Sequence, residues 1–199
     1  MSHFTVMVIG EDPEGQLAPY DENIEVDEYV RETVPDEEKE RFMELYIKNY
    51  PELKDKSFEE IYEKHGNSWN ESSWRKDENG VLQEYSTYNP KSKWDWYQLG
   101  GRWSGLIKLK EGAEGIEGEA GVFDNGTGID AAMKKDIINL DEIRTFAVVK
   151  DGQWYERGEM GWWACVSNEK DEAEWEAEFK KLLEGLPDDT LISIYDCHI

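Results

Sequence analysis

Thr145 to Gly158 reads TFAVVKDGQWYERG, two runs rich in β-branched and aromatic residues on either side of Asp151-Gly152. A glycine after an aspartate tolerates the positive φ of a tight primed turn, so the stretch predicts a β-hairpin. The next segment fits a layer above a sheet. Asn168 stands as a cap before EKDEAEWEAEFKKLLEGL, where acids crowd the first turns, Lys180 and Lys181 approach the last, and Gly185 and Pro187 end the run. TLISIYDCHI, residues 190–199, then alternates Leu191, Ser193, Tyr195 and Cys197 against Ile192, Ile194, Asp196 and His198, as a strand does.

Upstream, HFTVMVIG at 3–10 reads as a buried strand ending at a glycine. Pro35 before DEEKERFMELYIKNY predicts a helix with Phe42, Leu45, Tyr46 and Asn49 on one stripe, and Ser57 with Glu60 predicts a capping box on a second, ending near Gly66. VLQEYST at 81–87 and RWSGLIKLK at 102–110 alternate as strands, and a short helix is expected near Asp130 to Asn139. Trp69 and Trp74 read as anchors on a polar loop. With no regular βαβ alternation, the pattern predicts an α+β fold: a mainly antiparallel sheet with helices packed on one face. Residues 1–199 are expected to form a single domain with an acidic helical insertion over about 11–66 and a flexible Gly/Glu loop over about 111–128.

Charge narrows the function classes. The chain carries 46 acidic and 22 basic residues, a formal net charge of −24, which opposes direct nucleic-acid binding because phosphate contacts need Lys and Arg. The same excess suits a cationic protein partner, whose approach it accelerates, or mimicry of a nucleic-acid surface. Nine Trp, ten Tyr and six Phe supply the buried area that a disordered acidic chain lacks. Cys165 and Cys197 form no CxxC pattern, and the opening apolar run is too short for a membrane span and has no basic leader, so a soluble, cytoplasmic chain with reduced thiols is expected.

SHFTVMVIG (2–10), QLAPYDEN (16–23), NPKSKWDWYQLGGRWSG (89–105), RGEMGWW (157–163) and DDTLISIYDCHI (188–199) together resemble a family of uncharacterised bacteriophage and prophage proteins. The resemblance implies a phage accessory product acting in a bacterial host cytoplasm, modulating host machinery or defence systems, and it brings no catalytic residue with it.

Three constellations are candidates for function. Lys91, Lys93, Arg102, Lys108 and Lys110 against Asp95 alone make positions 91–110 cationic inside an acidic chain. There Lys93, Trp94, Trp96, Tyr97, Arg102 and Trp103 could cradle a nucleotide-like anion, the rings stacking on a base and the guanidinium forking onto phosphate; the alternative is that they are core. Trp94 and Trp96 share a face if the segment is extended, and Gly100-Gly101 can turn the chain back. Around GEMG, Trp154, Tyr155, Trp162 and Trp163 could dock a protein partner or, again, serve as core. His3-Phe4-Thr5-Val6 has the H-x-T-φ pattern of two-histidine phosphoesterases, and His198 approaches it if the first and last strands pair antiparallel; the second H-x-[ST] copy is missing. The same histidines with Asp196 or Cys197 are a minor metal alternative to ordinary strand-end histidines, and DNGTGID at 124–130 has residues suited to calcium without EF-hand spacing; no metal and no cofactor is expected. The reading is therefore a non-enzymatic binder of a host protein, basic in character, or of a small nucleotide-like anion. A two-histidine phosphodiesterase and an acidic nucleic-acid mimic stand as alternatives.

Overall fold

The structure, a computed structural model, describes residues 2–66, 73–120 and 128–199. In chain order β1 (His3–Ile9) and α1 (Pro13–Leu17) come first, followed by β2 (Glu25–Thr33), α2 (Asp36–Asn49), α3 (Phe58–His65), β3 (Trp74–Lys76) and β4 (Leu82–Tyr88). The chain continues through β5 (Trp96–Gly101), β6 (Ile116–Glu117), β7 (Glu119–Ala120), β8 (Ile129–Met133), β9 (Ala147–Lys150) and β10 (Gln153–Glu156). It ends with β11 (Glu159–Met160), β12 (Val166–Ser167), α4 (Glu172–Leu183) and β13 (Leu191–His198). Two compact units result, Met1–Ile24 with Asn89–Ile199, and Glu25–Tyr88. Together they make an α+β protein with a mixed, mainly antiparallel principal sheet. None of the described helices is long and apolar enough to cross a membrane.

In the first unit the strand order is β10-β9-β1-β13-β5-β7, with β8 pairing the other half of β13's edge and β6 pairing β8. β1 and β13 lie antiparallel in the centre, His3 opposite His198 and Ile9 opposite Ile192. A strand flanked on both edges and covered on both faces is largely apolar, and HFTVMVI is so but for His3 at its end and Thr5, whose hydroxyl accepts from the Phe146 amide. One face carries Met7, Ile9, Ile192 and Ile194 under Trp175, Phe179 and Leu182 of α4. The other carries Phe4, Val6, Val8, Tyr195 and Cys197 beneath Leu17, Tyr20 and Trp94. Burying a side chain such as Phe179 contributes about 1.5–3 kcal/mol, so α4's three inward residues dominate its docking. The expected hairpin is β9 and β10, with Asp151 (φ 54°) and Gly152 (φ 71°) in its turn.

The second unit is a three-stranded sheet, β2-β4-β3, with α2 and α3. Phe42 is at its centre, with ring centroids of Tyr46, Phe58, Tyr62 and Trp74 4.6–6.3 Å away. The capping box is present: Ser57 accepts from the Glu60 amide at 3.3 Å while Glu60 accepts from the Ser57 amide at 2.9 Å. The unit's bounds differ from the expected insertion at 11–66. EVDEYVRET is mostly exposed on both faces and so lacks strand alternation, yet it pairs with β4, Glu25 opposite Tyr88. The unit therefore starts and closes on neighbouring strands.

Other elements differ from expectation for similar reasons. Residues 129–133 form a strand where a helix was expected, because Ala131 and Ala132 sit between Ser193, Ile192 and the core, and only Lys134–Asp136 makes a single 3-10 turn. Arg102–Lys110 is not a strand; turns at 102–105 wrap two carboxylates, and Leu109 makes one isolated bridge to Ile137. The Gly/Glu loop contributes β6 and β7 to the sheet, and its residues 121–127, like Trp69, lie outside the described residues. So does most of the calcium-like DNGTGID stretch. Helix α4 is capped by Asp171, whose carboxylate accepts from the Glu174 amide at 2.8 Å. Asn168, the expected cap, is left-handed at φ 49° and donates to Glu159 instead.

Candidate functional site

The strand β5 separates the six residues expected to form an anion cradle. Trp94 precedes the strand, is buried, and donates its indole N–H to the Leu17 carbonyl at 3.2 Å. Tyr97 packs edge-on against it at 4.8 Å and against Tyr195 at 5.5 Å. Trp96 points the other way, opposite His198 in register and 43% exposed. Trp94 and Trp96 therefore do not share a face, because the regular strand begins only at Trp96. The Lys93 ammonium is held 2.5 Å from Glu156, which also accepts from the Trp154 indole at 2.8 Å. Trp103 packs against the α4-side core, and the Arg102 backbone N–H is bound to Asp196. Aromatic and basic groups are thus distributed over both sides of the sheet.

Two buried carboxylates explain the glycine pair. Asp130 and Asp196 are 0% and 1% exposed. Gly100 and Gly101 both have positive φ, 80° and 54°. A Cβ on Gly100 would lie 2.2 Å from Asp130 Oδ2, and one on Gly101 would lie 2.4 Å from Asp196 Cβ. Asp130 accepts from Ser104 Oγ (2.7 Å), the Gly105 amide (2.8 Å) and the Gly118 amide (3.1 Å). Burial pushes its carboxyl above the usual Asp range, and these three bonds oppose that rise. The GGRWSG turn is shaped to satisfy acids, a role opposite to the anion binding its composition predicts.

At the other end of β5 the two histidines meet. His3 and His198 face each other across β1 and β13 with ring centroids 4.9 Å apart. His3 Nδ1 is 2.8 Å from Asp196 Oδ1, His198 Nδ1 is 2.5 Å from Asp95 Oδ1, and Trp96 packs edge-on to His3 at 6.3 Å. His198 Nε2 is buried with no hydrogen-bond partner.

The second aromatic cluster also divides. Trp154 is tilted on Tyr20 at 5.0 Å and edge-on to Phe4 at 6.3 Å, while Tyr155, its neighbour in β10, turns to the α4 face and donates to Gln153. Trp163 is 80% exposed on a left-handed turn whose ends are tied by Ser2: its hydroxyl donates to the Gly161 carbonyl and accepts from the Ala164 amide. The side chain of Trp162 lies outside the described residues.

The groups that do converge lie beside β5. Beyond β13, its only strand partner among the described residues is β7, which pairs with Gly100 and Gly101. A cleft of about 370 Å³ lies beside β5, lined by Trp96, Tyr97 and Tyr195 and by Glu14, Glu117 and Glu119. Burial, with the Glu14 carboxylate adding to it, pushes both tyrosine hydroxyls up, so they stay protonated and leave three acids to set the charge. A larger cleft of about 520 Å³ beside α4 is charged as well, but there Arg144 pairs with Glu176, Arg157 with Glu169, and the Trp175 indole with the Thr145 carbonyl. Trp96 and Tyr97 were among the residues singled out from the sequence, there for an anion cradle. Glu14, Glu117, Glu119 and Tyr195 were not, because sequence shows no reason for 14 and 117–119 to meet at 96–99. No protein-family model, curated protein or solved structure matches the chain.

Proposed function

We propose that this is a non-enzymatic binding protein that receives a cationic group of a protein partner, a lysine or arginine side chain, in the cleft beside β5. The observation that carries this reading is that three aromatic and three acidic residues, Trp96, Tyr97, Tyr195, Glu14, Glu117 and Glu119, line one cleft. Aromatic faces attract ammonium and guanidinium groups, by about 0.5–1 kcal/mol at exposed sites, and carboxylates beside them add charge complementarity. The net charge of −24 draws such a partner in from a distance. In the setting implied by the phage resemblance the partner is a basic host component, and binding it would modulate the host. Binding is preferred to phosphodiester chemistry because the second H-x-[ST] copy is missing and a polyanionic substrate is repelled.

Calorimetric titration with short lysine-rich and arginine-rich peptides tests it. Replacing Glu14, Glu117 and Glu119 together by Gln, or Trp96→Ala, is expected to weaken binding by tenfold or more. The same charge change at Glu37, Glu38 and Glu40 of α2 is expected to have a smaller effect. Equal weakening by the two triple variants would show a diffuse acidic surface and remove the cleft from the account. Cleavage of oligonucleotides that disappears in His3→Ala would replace binding with catalysis.

A further inference from the structure

The histidine pair takes no part in cation docking, and its geometry points to a ligand of its own. Each Nδ1 faces a carboxylate oxygen, Asp196 for His3 and Asp95 for His198. An ionised carboxylate only accepts hydrogen bonds, so the proton of each neutral ring is on Nδ1 and each Nε2 keeps its lone pair. On His198 that lone pair is buried and unpartnered. Buried polar atoms without partners are rare, and one reason for them is a missing ion. Metal-binding imidazoles have this arrangement: one nitrogen donates to a carboxylate that fixes the ring, and the other is left for the metal.

The spacing agrees. With metal–nitrogen bonds of about 2.0–2.1 Å, and about 1.1 Å more from nitrogen to ring centre, two imidazoles on one tetrahedral ion have centroids about 5 Å apart. The His3 and His198 centroids are 4.9 Å apart, with the ring planes at 70°. We propose that His3 and His198 form a two-imidazole site for a borderline transition-metal ion, Zn²⁺, Ni²⁺ or Cu²⁺. Asp196 and Asp95 orient the rings, and water or a donor group of a bound molecule completes the coordination. Imidazole nitrogen selects these ions over Mg²⁺ and Ca²⁺. Among the described residues no group of three or more His, Cys, Asp or Glu side chains is arranged to hold a metal, so this is an open two-ligand site, weaker than a structural zinc centre.

Titrating the metal-free full chain with Zn²⁺ and with Ni²⁺, in excess Mg²⁺ to occupy surface carboxylates, is the test. One ion per chain is expected, with at least tenfold weaker binding in His3→Ala and in His198→Ala and unchanged binding in His65→Ala. Nitrogen-15 NMR of the wild-type imidazoles reads the ligand atoms without any variant: Zn²⁺ is expected to shift Nε2 of His3 and His198 together. Cu²⁺ is expected to quench Trp96 fluorescence, seen as the share of quenching lost in Trp96→Phe. Nε2 resonances unmoved at saturating Zn²⁺, or binding that survives in both histidine variants, would overturn the proposal.

Discussion

Replacing Gly101 by Ala tests whether the turn after β5 is built around Asp196. Two costs arise. The backbone there is left-handed, φ 54°, which costs a residue with a Cβ about 1–2 kcal/mol. The new methyl would also lie 2.4 Å from Asp196 Cβ, inside a buried site where overpacking costs typically about 1–3 kcal/mol. Gly152, in the β9–β10 turn, isolates the first cost: its φ is 71° and nothing lies within 4 Å of an added Cβ. The Gly101→Ala loss should therefore exceed that of Gly152→Ala by about 1–3 kcal/mol, the steric part alone. With urea slopes of about 1–3 kcal/mol/M, that separates the two unfolding midpoints by roughly 1 M. Urea titration followed by circular dichroism, with the slope checked for constancy, reads it. Midpoints that coincide would mean that Asp196 is not packed against the turn, and the explanation of the glycine pair would fail.

Burial raises the Asp130 carboxyl, so the folded chain holds that proton more tightly than the unfolded chain, and its contribution to stability falls as pH rises from the ordinary value of 3.8 through the folded pKa. Melting curves of wild type and Asp130→Asn should accordingly show the wild type gaining on the variant as pH is lowered into that window; a difference flat in pH refutes it. Cys165 is exposed, whereas Cys197 is 0% exposed with its thiol pushed well up by burial. A maleimide at neutral pH should thus modify one thiol per native chain and the second only after denaturant is added. Ser57→Ala removes half of the α3 capping box and should destabilise the Glu25–Tyr88 unit by about 1 kcal/mol, read by its thermal midpoint, with Ser57→Gly costing less.

Local rules made much of this fold legible. Asp151-Gly152 specified a turn, Ser57 with Glu60 a helix start, and the apolar runs at 3–9 and 191–198 two buried strands, each signal arising within a few residues. Strand β2 was hidden because its hydrogen bonds go to β4 while its side chains stay in water, so nothing in its own pattern records the pairing. Strand β8 was hidden because alanine favours helix until a neighbouring strand supplies the ladder. For the site, the nearness of His3 to His198 followed from antiparallel pairing of two recognisable strands. The fate of the tryptophans did not, since a one-residue change in where β5 starts decides which face Trp94 takes. Aspartates inside apolar strands, Asp130 beside Ala131-Ala132 and Asp196 within ISIYDCH, are the signal that would have revealed the acid-holding turn.

The pairing of His3 with Asp196, 193 positions apart, sets the order in which a ribosome-borne chain can fold. The strand pairing of the 25–88 unit, β2 and β3 on β4, is complete once β4 has emerged. The apolar β1, made before them, must wait for β9 and then β13 to cover its two edges. Throughout elongation that segment is an unshielded sticky strand, and the acidic stretch emerging right behind it, repelling like-charged nascent chains, acts as its gatekeeper.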